Sequence, residues 1–364
     1  MYAEVLDEII VSKYQILKRL GKGSYGIVWK GMDRCTNEII AVKKCFDCFQ
    51  NTTDSQRIFR EISLLQQLNG HPNIVRLFDV IRSQFGRDLY MICEYMESDL
   101  NSVTKAKLFQ PIHIKFITCQ LFAGLKYMHS AGVIHRDIKP SNILIDADCK
   151  VKICDFGLAR LLHQDDVLTA YIATRWYRAP EIILGCPQYD FSVDLWAVGT
   201  IVAEMFLARP LFPGSSTVDQ LERIIQVTGW PSDQSLISMG VTHTDRLLMA
   251  VKNGIEVKAL SEIIPCAPTE CLDLIRQLIQ FSPCTRVNAS RAIMHPYVME
   301  FRVGEDESCS PIEAVRMVVD DNVKLNSNEY QEVLYSEVEK LRNEKNLKYN
   351  EIMNEVRRVA SCLN

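Results

Sequence analysis

Short alternating runs open the chain. Tyr14 to Leu20, Gly26 to Met32, Ile39 to Phe46 and Asn73 to Val80 are β-rich and punctuated by Gly, Asn or charge, which predicts strands. Leu89 to Tyr95 predicts a further strand. Between the third and fourth runs the spacing becomes helical. Ile58, Ile62, Leu65 and Leu68 share one face of a helix over Asp54 to Leu68, with Asn69-Gly70 as its stop. From Asp99 to Tyr297 most of the pattern is helical, as over Ile112 to Ser130 and Val193 to Leu207. A loop-and-strand stretch, Ile134 to Arg160, lies between those two helices. The last stretch is charged and helix-forming, with Tyr330, Leu334, Val338, Leu341, Ile352 and Val356 as its apolar positions. It predicts one or two amphipathic helices that pack back on the body of the protein or bind a partner.

At about 150 residues per domain, 364 residues give two to three domains. The composition, 48% apolar and 24% charged, excludes a collagen-like or globally disordered chain. A net charge of −4 exerts no bulk pull toward nucleic acid or an anionic membrane, so neither is expected as a partner. Asp194 and Glu204 interrupt the longest apolar candidate, Val193 to Ala208, and no membrane insertion is predicted. Glu4, Asp7 and Glu8 carry the wrong charge for a leader. Thirteen cysteines, an odd and scattered count, fit reduced thiols in the cytoplasm or nucleus. Cys45-Phe46-Asp47-Cys48 could be redox-active or metal-binding, or simply structural.

The candidate chemistry lies in an ordered set of motifs. Gly21-Lys22-Gly23-Ser24-Tyr25-Gly26-Ile27-Val28 follows one predicted strand and opens another. Glycines let backbone amides approach phosphate oxygens where a Cβ would collide. Taken alone, this spacing fits an ordinary turn or a dinucleotide fold. The dinucleotide reading needs a helix after the glycines, whereas Ile27-Val28-Trp29-Lys30 is β-branched and aromatic. Lys43, fifteen residues after Val28, sits in the apolar context Ala41-Val42-Lys43; a solubilising lysine at a strand edge is the competing reading. Glu61, on the predicted helix, is its candidate ion-pair partner. His135-Arg136-Asp137-Ile138-Lys139-Pro140-Ser141-Asn142 is more specific. Asp137 can accept the proton of a substrate hydroxyl, Asn142 can ligate Mg²⁺, and Lys139 can neutralise charge on a migrating phosphoryl group. Eighteen residues past Asp137 stands Asp155-Phe156-Gly157, with Asp155 as the main candidate Mg²⁺ ligand, and Ala179-Pro180-Glu181 closes the segment.

With these motifs in this order, the chain from about Tyr14 to Tyr297 resembles the eukaryotic protein kinases. The resemblance implies an α+β bilobal fold. Its β-rich N-lobe with one main helix would span 13–96, its mostly helical C-lobe 97–303, and a C-terminal helical extension 304–364. Lys139 and Thr174 resemble Ser/Thr kinases rather than Tyr kinases. Thr169-Ala170-Tyr171, then Ala173-Thr174-Arg175-Trp176-Tyr177-Arg178, resembles the mitogen-activated protein kinases, and 213–265 looks like that group's insert. Gly26 to Lys30, Thr53 to Arg57, and Val323-Lys324-Leu325 before Glu329-Tyr330 are similar to the atypical extracellular signal-regulated kinases of the seven and eight type.

The family's roles then fall on numbered residues. ATP and Mg²⁺ are the implied cofactors. The glycine loop covers the triphosphate, Lys43 aligned by Glu61 holds phosphates, Asn142 and Asp155 hold Mg²⁺, and Thr174 bridges Asp137 and Lys139. Adenine is expected between Val28, Ala41 and Leu144, with its polar edge on Glu94 to Met96 and Cys93 as gatekeeper. Leu20, Asp99 and Ser141 complete the expected cofactor contacts, and Cys154 lines the same site. Thr169 and Tyr171 are the expected phosphorylation sites, modified by the chain itself or by an upstream kinase. Arg57, Arg60, Arg136 and Arg160 are the expected partners of the first phosphate, Arg175 and Arg178 of the second; ordinary surface arginines are the alternative. Arg178 turning the Ala173 carbonyl away from the incoming residue implies Ser/Thr-Pro sites in protein substrates. Glu181 and Arg286 resemble a buried ion pair, and Asp194 resembles the prop of the catalytic loop. Asp306 and Glu307 resemble part of an acidic docking patch, or form a solvated loop. A monomer regulated by an upstream kinase or phosphatase is expected. The competing functions are a signalling scaffold with a degenerate or weakly active site, and a cyclin-dependent kinase.

Overall fold

Alternating burial builds an antiparallel sheet from β1 (Tyr14–Lys22), β2 (Gly26–Asp33), β3 (Ile39–Cys45), β4 (Leu77–Arg82) and β5 (Leu89–Glu94), in the order β1-β2-β3-β5-β4. The computed structural model describes residues 5–23, 26–84, 86–162, 175–186, 189–241, 245–252, 254–302, 315–320 and 323–343. Ser24, Tyr25, Thr169, Ala170, Tyr171, Ala173, Thr174, Asp306, Glu307, Ile352 and Val356 lie outside the described residues. The described chain divides into two compact units. The first holds residues up to 63, 77–94 and 323–343, and the second holds 64–76 and 95–320.

In the first unit, register sorts the side chains. Val28 stands opposite Lys43, Lys43 opposite Met91, and Ala41 opposite Cys93. Opposed residues share a face, so Val28, Ala41, Lys43 and Cys93 lie on one side of the sheet. Ile27, Trp29, Ile40, Val42, Tyr90 and Ile92 lie on the other and are buried. A short helix with no counterpart in the sequence reading, α1 (Glu8–Lys13), covers that second face. Its Ile10 is fully buried against Tyr14, Ile40, Val42, Ile81, Tyr90 and Ile92. The Tyr90 hydroxyl donates to Asp7 Oδ1 at 3.0 Å, and the Gln84 amide donates to Asp7 Oδ2 at 2.6 Å. Lys44 is buried on this face, donating to the Val5 carbonyl at 2.7 Å and pairing with Asp88 at 3.2 Å. Helix α2 (Thr52–Gln67) starts where Asn51 Oδ1 accepts the Asp54 amide at 2.9 Å.

The second unit contains α3 (Leu100–Lys105), α4 (Pro111–Ser130), α5 (Pro180–Ile183), α6 (Ser192–Leu207), α7 (Thr217–Thr228), α8 (Asp233–Ser238), α9 (Arg246–Met249), α10 (Leu260–Ile263), α11 (Thr269–Leu278) and α12 (Ala289–Ala292). Two small ribbons complete it, β6 (Ser98–Asp99) with β8 (Ile143–Ile145) and β9 (Val151–Ile153), and β7 (Val133–Ile134) with β10 (Arg160–Leu161). Helix α6 is buried over nearly its whole length and is the axis of this unit. Gly199 lets α11 come close: a Cβ there would sit 2.8 Å from Leu278 Cβ and 2.9 Å from Ile279. No described helix is long and apolar enough to cross a membrane.

The described C-terminal residues, 315–320 and 323–343, are packed. The Gln67 amide group donates to the Arg316 carbonyl and accepts the Arg316 amide, both at 3.0 Å. Helix α13 (327–343) buries Tyr330, Leu334 and Val338 in the first unit, with Tyr330 5.6 Å from the Phe59 ring. Arg342 adds a hydrogen bond of 2.7 Å to Asp79. This is the packed-back reading of the amphipathic pattern.

One ion pair is wholly enclosed. Arg286 binds Glu181 through two contacts of 2.7 and 3.1 Å, and its remaining donors reach the carbonyls of Ser192 and Gln280, each at 2.9 Å. Arg286→Ala strands a buried carboxylate and is expected to cost about 3–5 kcal/mol, whereas Lys115→Ala, which breaks an exposed pair with Glu300, should cost about 0–1 kcal/mol. Urea unfolding of the two variants measures the difference; equal midpoints would refute it.

Candidate active site

Gly23 closes the turn between β1 and β2, its amide donating to the Gly26 carbonyl at 2.8 Å. A Cβ on Gly26 would lie 2.1 Å from the Lys44 carbonyl oxygen, so sheet packing itself demands that glycine. Among the described residues, a Cβ on Gly21 would meet nothing within 4 Å, and one on Gly23 only the Gly26 carbonyl at 4.0 Å. No described residue makes a steric demand for glycine at these two positions, and the missing side chains leave the backbone there open to close approach. Leu20 and Lys22 are exposed beside them.

On the open face of the sheet, Lys43 Nζ lies 2.5 Å from Glu61 Oε1, and Glu61 is buried. Val28, Ala41 and Cys93 are half-buried on the same face. Burial pushes the Cys93 thiol up to about 12, outweighing the opposite pull of Lys43, so it is a neutral side chain at physiological pH. Ile27 departs from the expected set: its side chain is fully buried on the opposite face. Neighbouring strand residues point in opposite directions, so Val28 and Ile27 cannot share one surface. Glu94 ends β5.

The second unit carries the other candidates. Met96 is buried. Asp99 caps α3, its Oδ1 accepting the Ser102 amide at 2.9 Å and its Oδ2 the Ser102 hydroxyl at 2.8 Å. Ser141 is exposed in the turn Pro140–Asn142, and Leu144 is half-buried in β8.

The loop 135–142 hangs from one carboxylate. Asp194, in the first turn of α6, is 1% exposed. Its Oδ2 accepts the His135 amide and its Oδ1 the Arg136 amide, both at 2.9 Å, and His129 Nε2 lies 3.0 Å from Oδ2. Burial alone would raise the Asp194 carboxyl. The hydrogen bond and charge of His129, then those of His135, outweigh it and hold the group below its ordinary value. His135 Nδ1 accepts the Asp137 amide at 3.2 Å, which places the ring proton on Nε2, 3.1 Å from the Cys154 carbonyl. That contact ties the loop to the segment carrying Asp155. Phe156 packs edge-on against the same ring at 5.0 Å.

At the centre, Asp137 Oδ2 accepts from Lys139 Nζ at 2.7 Å and from Asn142 Nδ2 at 3.0 Å. Asp137 Oδ1 is buried and has no hydrogen-bond partner among the described residues. The Asn142 carbonyl accepts the Cys154 amide at 3.0 Å. Asp155 follows directly, exposed and in the left-handed region at φ 66°. Asn142 and Asp155 offer amide and carboxylate oxygens, the hard donors that suit Mg²⁺. No group of three or more His, Cys, Asp or Glu among the described residues is placed to hold a metal.

Three of the arginines expected near Thr169 are not ordinary surface residues: Arg136 and Arg160 are each 7% exposed, and Arg60 is buried as well. Arg136 Nε donates to the Leu158 carbonyl at 2.7 Å and its Nη1 to the Tyr189 hydroxyl at 3.2 Å. Arg57 lies 3.9 Å from Asp54. Arg175 Nη1 donates to the Ser215 carbonyl at 3.0 Å, and Arg178 is half-buried. Cys45 and Cys48 are core thiols. A hydrogen bond with Cys45, together with burial, raises the Cys48 thiol well above its ordinary value, the opposite of a reactive pair. Sequence reasoning missed His129 and Tyr189, which belong to no motif.

Comparison with known proteins follows the same direction. The protein kinase domain family matches residues 14–298. The chain is 42% identical to extracellular signal-regulated kinase 2 of Dictyostelium discoideum over 355 residues, covering 96% of each. It is 46% identical to mitogen-activated protein kinase 15 of Xenopus laevis, over 91% of this chain and 57% of the relative. It is 39% identical to extracellular signal-regulated kinase 7 of Drosophila melanogaster, over 92% of this chain and 38% of the relative.

The Asp194 anchor carries a pH signature. Its folded value is depressed, so its stabilisation is present above the unfolded carboxylate value of about 4 and is lost as pH falls through the lower folded value. Asp194→Asn should cost about 3 kcal/mol or more near neutral pH and lose part of the acid-side fall in stability. Urea midpoints taken from about pH 7 to about pH 3 test this; an unchanged midpoint and slope would refute it.

Proposed function

The chain belongs to the protein kinase domain family and, within it, to the mitogen-activated protein kinases, and from that premise we propose which residues carry its transfer of phosphate to serine and threonine. Such an enzyme uses ATP with a divalent metal, acts on protein substrates and answers to upstream kinases and phosphatases. Our reading takes the metal to be Mg²⁺ and the preferred sites to be Ser-Pro and Thr-Pro.

The observation that carries the assignment is the split of the Asp137 carboxylate. One oxygen is taken by Lys139 and Asn142, while the other is buried and unpartnered among the described residues. That second oxygen orients the substrate hydroxyl and accepts its proton. Lys139, beside it, offsets charge on the group in transit. Asn142 and Asp155 would hold Mg²⁺, which when bound neutralises charge on the phosphate oxygens. Lys43, oriented by Glu61, binds phosphate oxygens of the nucleotide, and Gly21 and Gly23 let backbone come near them. Leu20, Val28, Ala41, Cys93 and the Glu94 backbone in the first unit, and Met96, Asp99, Ser141 and Leu144 in the second, are assigned to the rest of ATP. Asp99 serves there only through what its cap to Ser102 leaves available.

Phosphorylation of Thr169 and Tyr171, by the chain itself or by an upstream kinase, is assigned to activation. The charge added is close to −2 per phosphate, enough to draw in Arg136 and Arg160. The protein works as a monomer in the cytoplasm and nucleus. A scaffold with a degenerate site is the competing reading, and the intact set Lys43, Glu61, Asp137, Asn142 and Asp155 favours the enzyme.

Radiolabel transfer to a peptide with Pro after the Ser, compared with the same peptide carrying Ala there, tests the chemistry and the site preference together. Wild type should favour the Pro peptide, and Asp137→Asn should lose about 10²-fold or more on both. Retained activity in Asp137→Asn, or equal rates on the two peptides, would overturn the corresponding assignment. Thr169→Ala with Tyr171→Phe should lower turnover about tenfold or more without changing the melting temperature. Equal turnover by that double variant and wild type would sink the activation reading.

A further inference from the structure

Arg175, Trp176 and Tyr177 form one 3₁₀ turn, and each of their side chains is tied to a different point of the second unit. Arg175 Nη1 donates to the Ser215 carbonyl at 3.0 Å, Trp176 Nε1 to the Gly214 carbonyl at 3.1 Å, and the Tyr177 hydroxyl to Glu204 Oε2 at 2.9 Å. The Arg178 amide then donates to the Arg175 carbonyl at 3.2 Å. The first two ties land on a link that α7 itself holds. The Ser215 amide and hydroxyl donate to Asp219 Oδ2 at 2.7 and 3.0 Å. The Gly214 amide is shared between the Phe212 carbonyl at 2.9 Å and Gln220 Oε1 at 3.1 Å. Gln220 is fully buried, and a Cβ on Gly214 would lie 2.4 Å from its Oε1 and 2.7 Å from its Cα, so link and helix are pressed together. Gln220 Nε2 is buried with no hydrogen-bond partner among the described residues. An apolar side chain of the same length would avoid that penalty, which leaves the Oε1 acceptor as the use of a glutamine here.

We propose that Gln220 is a positioning residue for substrate selection, acting through Gly214 and Ser215 on the Arg175–Tyr177 turn and so on Arg178. The route is continuous. Gln220 Oε1 holds the Gly214 amide, the carbonyls of Gly214 and Ser215 hold Trp176 and Arg175, and the Arg175 carbonyl holds the Arg178 amide. The inference rests on the Ser-Pro and Thr-Pro reading above, in which Arg178 denies an acceptor to the amide of the incoming residue. A missing acceptor penalises every residue that carries an amide hydrogen and leaves proline untouched. Such discrimination is a matter of backbone placement, because a hydrogen bond weakens steeply once distance and angle depart from their optimum. A turn free to shift would let an acceptor reach the incoming amide and erase the penalty. The Tyr177 tie to Glu204 on α6 does not pass through Gln220, so losing the Gln220 acceptor loosens the turn without releasing it. Asp137, Asn142 and Asp155 are not on the route, so the effect falls on peptide choice and spares the use of ATP.

The test measures kcat/KM of the full chain on a Ser-Pro peptide and on the same peptide with Ala after the Ser, for wild type, Gln220→Met and Trp176→Phe. Methionine keeps the length of the glutamine side chain and drops its acceptor; phenylalanine keeps an aromatic ring and drops the indole donor. In both variants the Pro-to-Ala ratio of kcat/KM should fall about fivefold while KM for ATP stays the same. A lower melting temperature with an unchanged ratio in Gln220→Met makes the glutamine merely structural and overturns the inference. An unchanged ratio in Trp176→Phe overturns the route through Gly214. A rise in KM for ATP equal to the loss in ratio also overturns it, because the effect would then not be on peptide choice. If Gln220→Met does not fold, Gly214→Ala takes its place, since its Cβ would collide with Gln220 and lift the link off α7. The same fall is expected there, and an unchanged ratio refutes the proposal. If wild type itself shows no preference for the Pro peptide, the Ser-Pro reading fails first and this inference falls with it.

Discussion

One buried carboxylate sets the position of the candidate catalytic apparatus. Asp194 is 1% exposed, so its charge persists only because donors converge on both oxygens. Two of those donors are consecutive backbone amides, His135 and Arg136, which come near one carboxylate only if the chain there adopts an unusual path. Arg136 duly sits at φ 68°, a conformation that costs a non-glycine residue about 1–3 kcal/mol unless its surroundings enforce it. Asp194 stands on α6, the most deeply buried helix of its unit, and so lends the loop the rigidity of the core. From there support passes outward. His135 holds the carbonyl of Cys154 and Arg136 holds that of Leu158, which brackets Asp155 between two fixed points.

The same economy appears at Asp137. Lys139 and Asn142 both reach one oxygen, and a buried acceptor is left over. Leaving such a group unsatisfied costs about 1–3 kcal/mol, a penalty expected where a substrate group completes the set. The loop glycines differ in the same way: sheet packing demands glycine at Gly26, and no described residue demands it at Gly21 or Gly23.

In the first unit the constraint is two-sidedness. A sheet whose one face carries Val28, Ala41, Lys43 and Cys93 must cover the other, and the N-terminal α1 does so through Ile10. Helix α13 adds a second support, since Tyr330 packs on Phe59, two residues before Glu61 on α2. The helix that presents the ion-pair partner of Lys43 is therefore buttressed by the far end of the chain.

Much of this was legible in the sequence. Strand alternation and helical spacing located β1 to β3, β5 and α2 within about two residues at most ends, as boundaries defined by local patterns allow. Lys43, Glu61, Asp137, Lys139 and Asn142 are legible because they fall in short motifs whose identity and order resemble those of the protein kinases. That the Ile27 side chain faces away from Val28 follows from the two-residue period of the strand. Other features had no local signal. Helix α1 is six residues long and forms because its apolar side chain finds a sheet to cover. Tyr189 stands 53 residues from Arg136, and Asp194 stands 58 from it. No pattern over a few residues encodes such partners, since burial and hydrogen bonding between distant positions exist only once the chain has closed on itself. The sequence by itself determined the chemistry available, and the tertiary structure decided which oxygen of Asp137 is left over, which arginines are buried, and what holds them still.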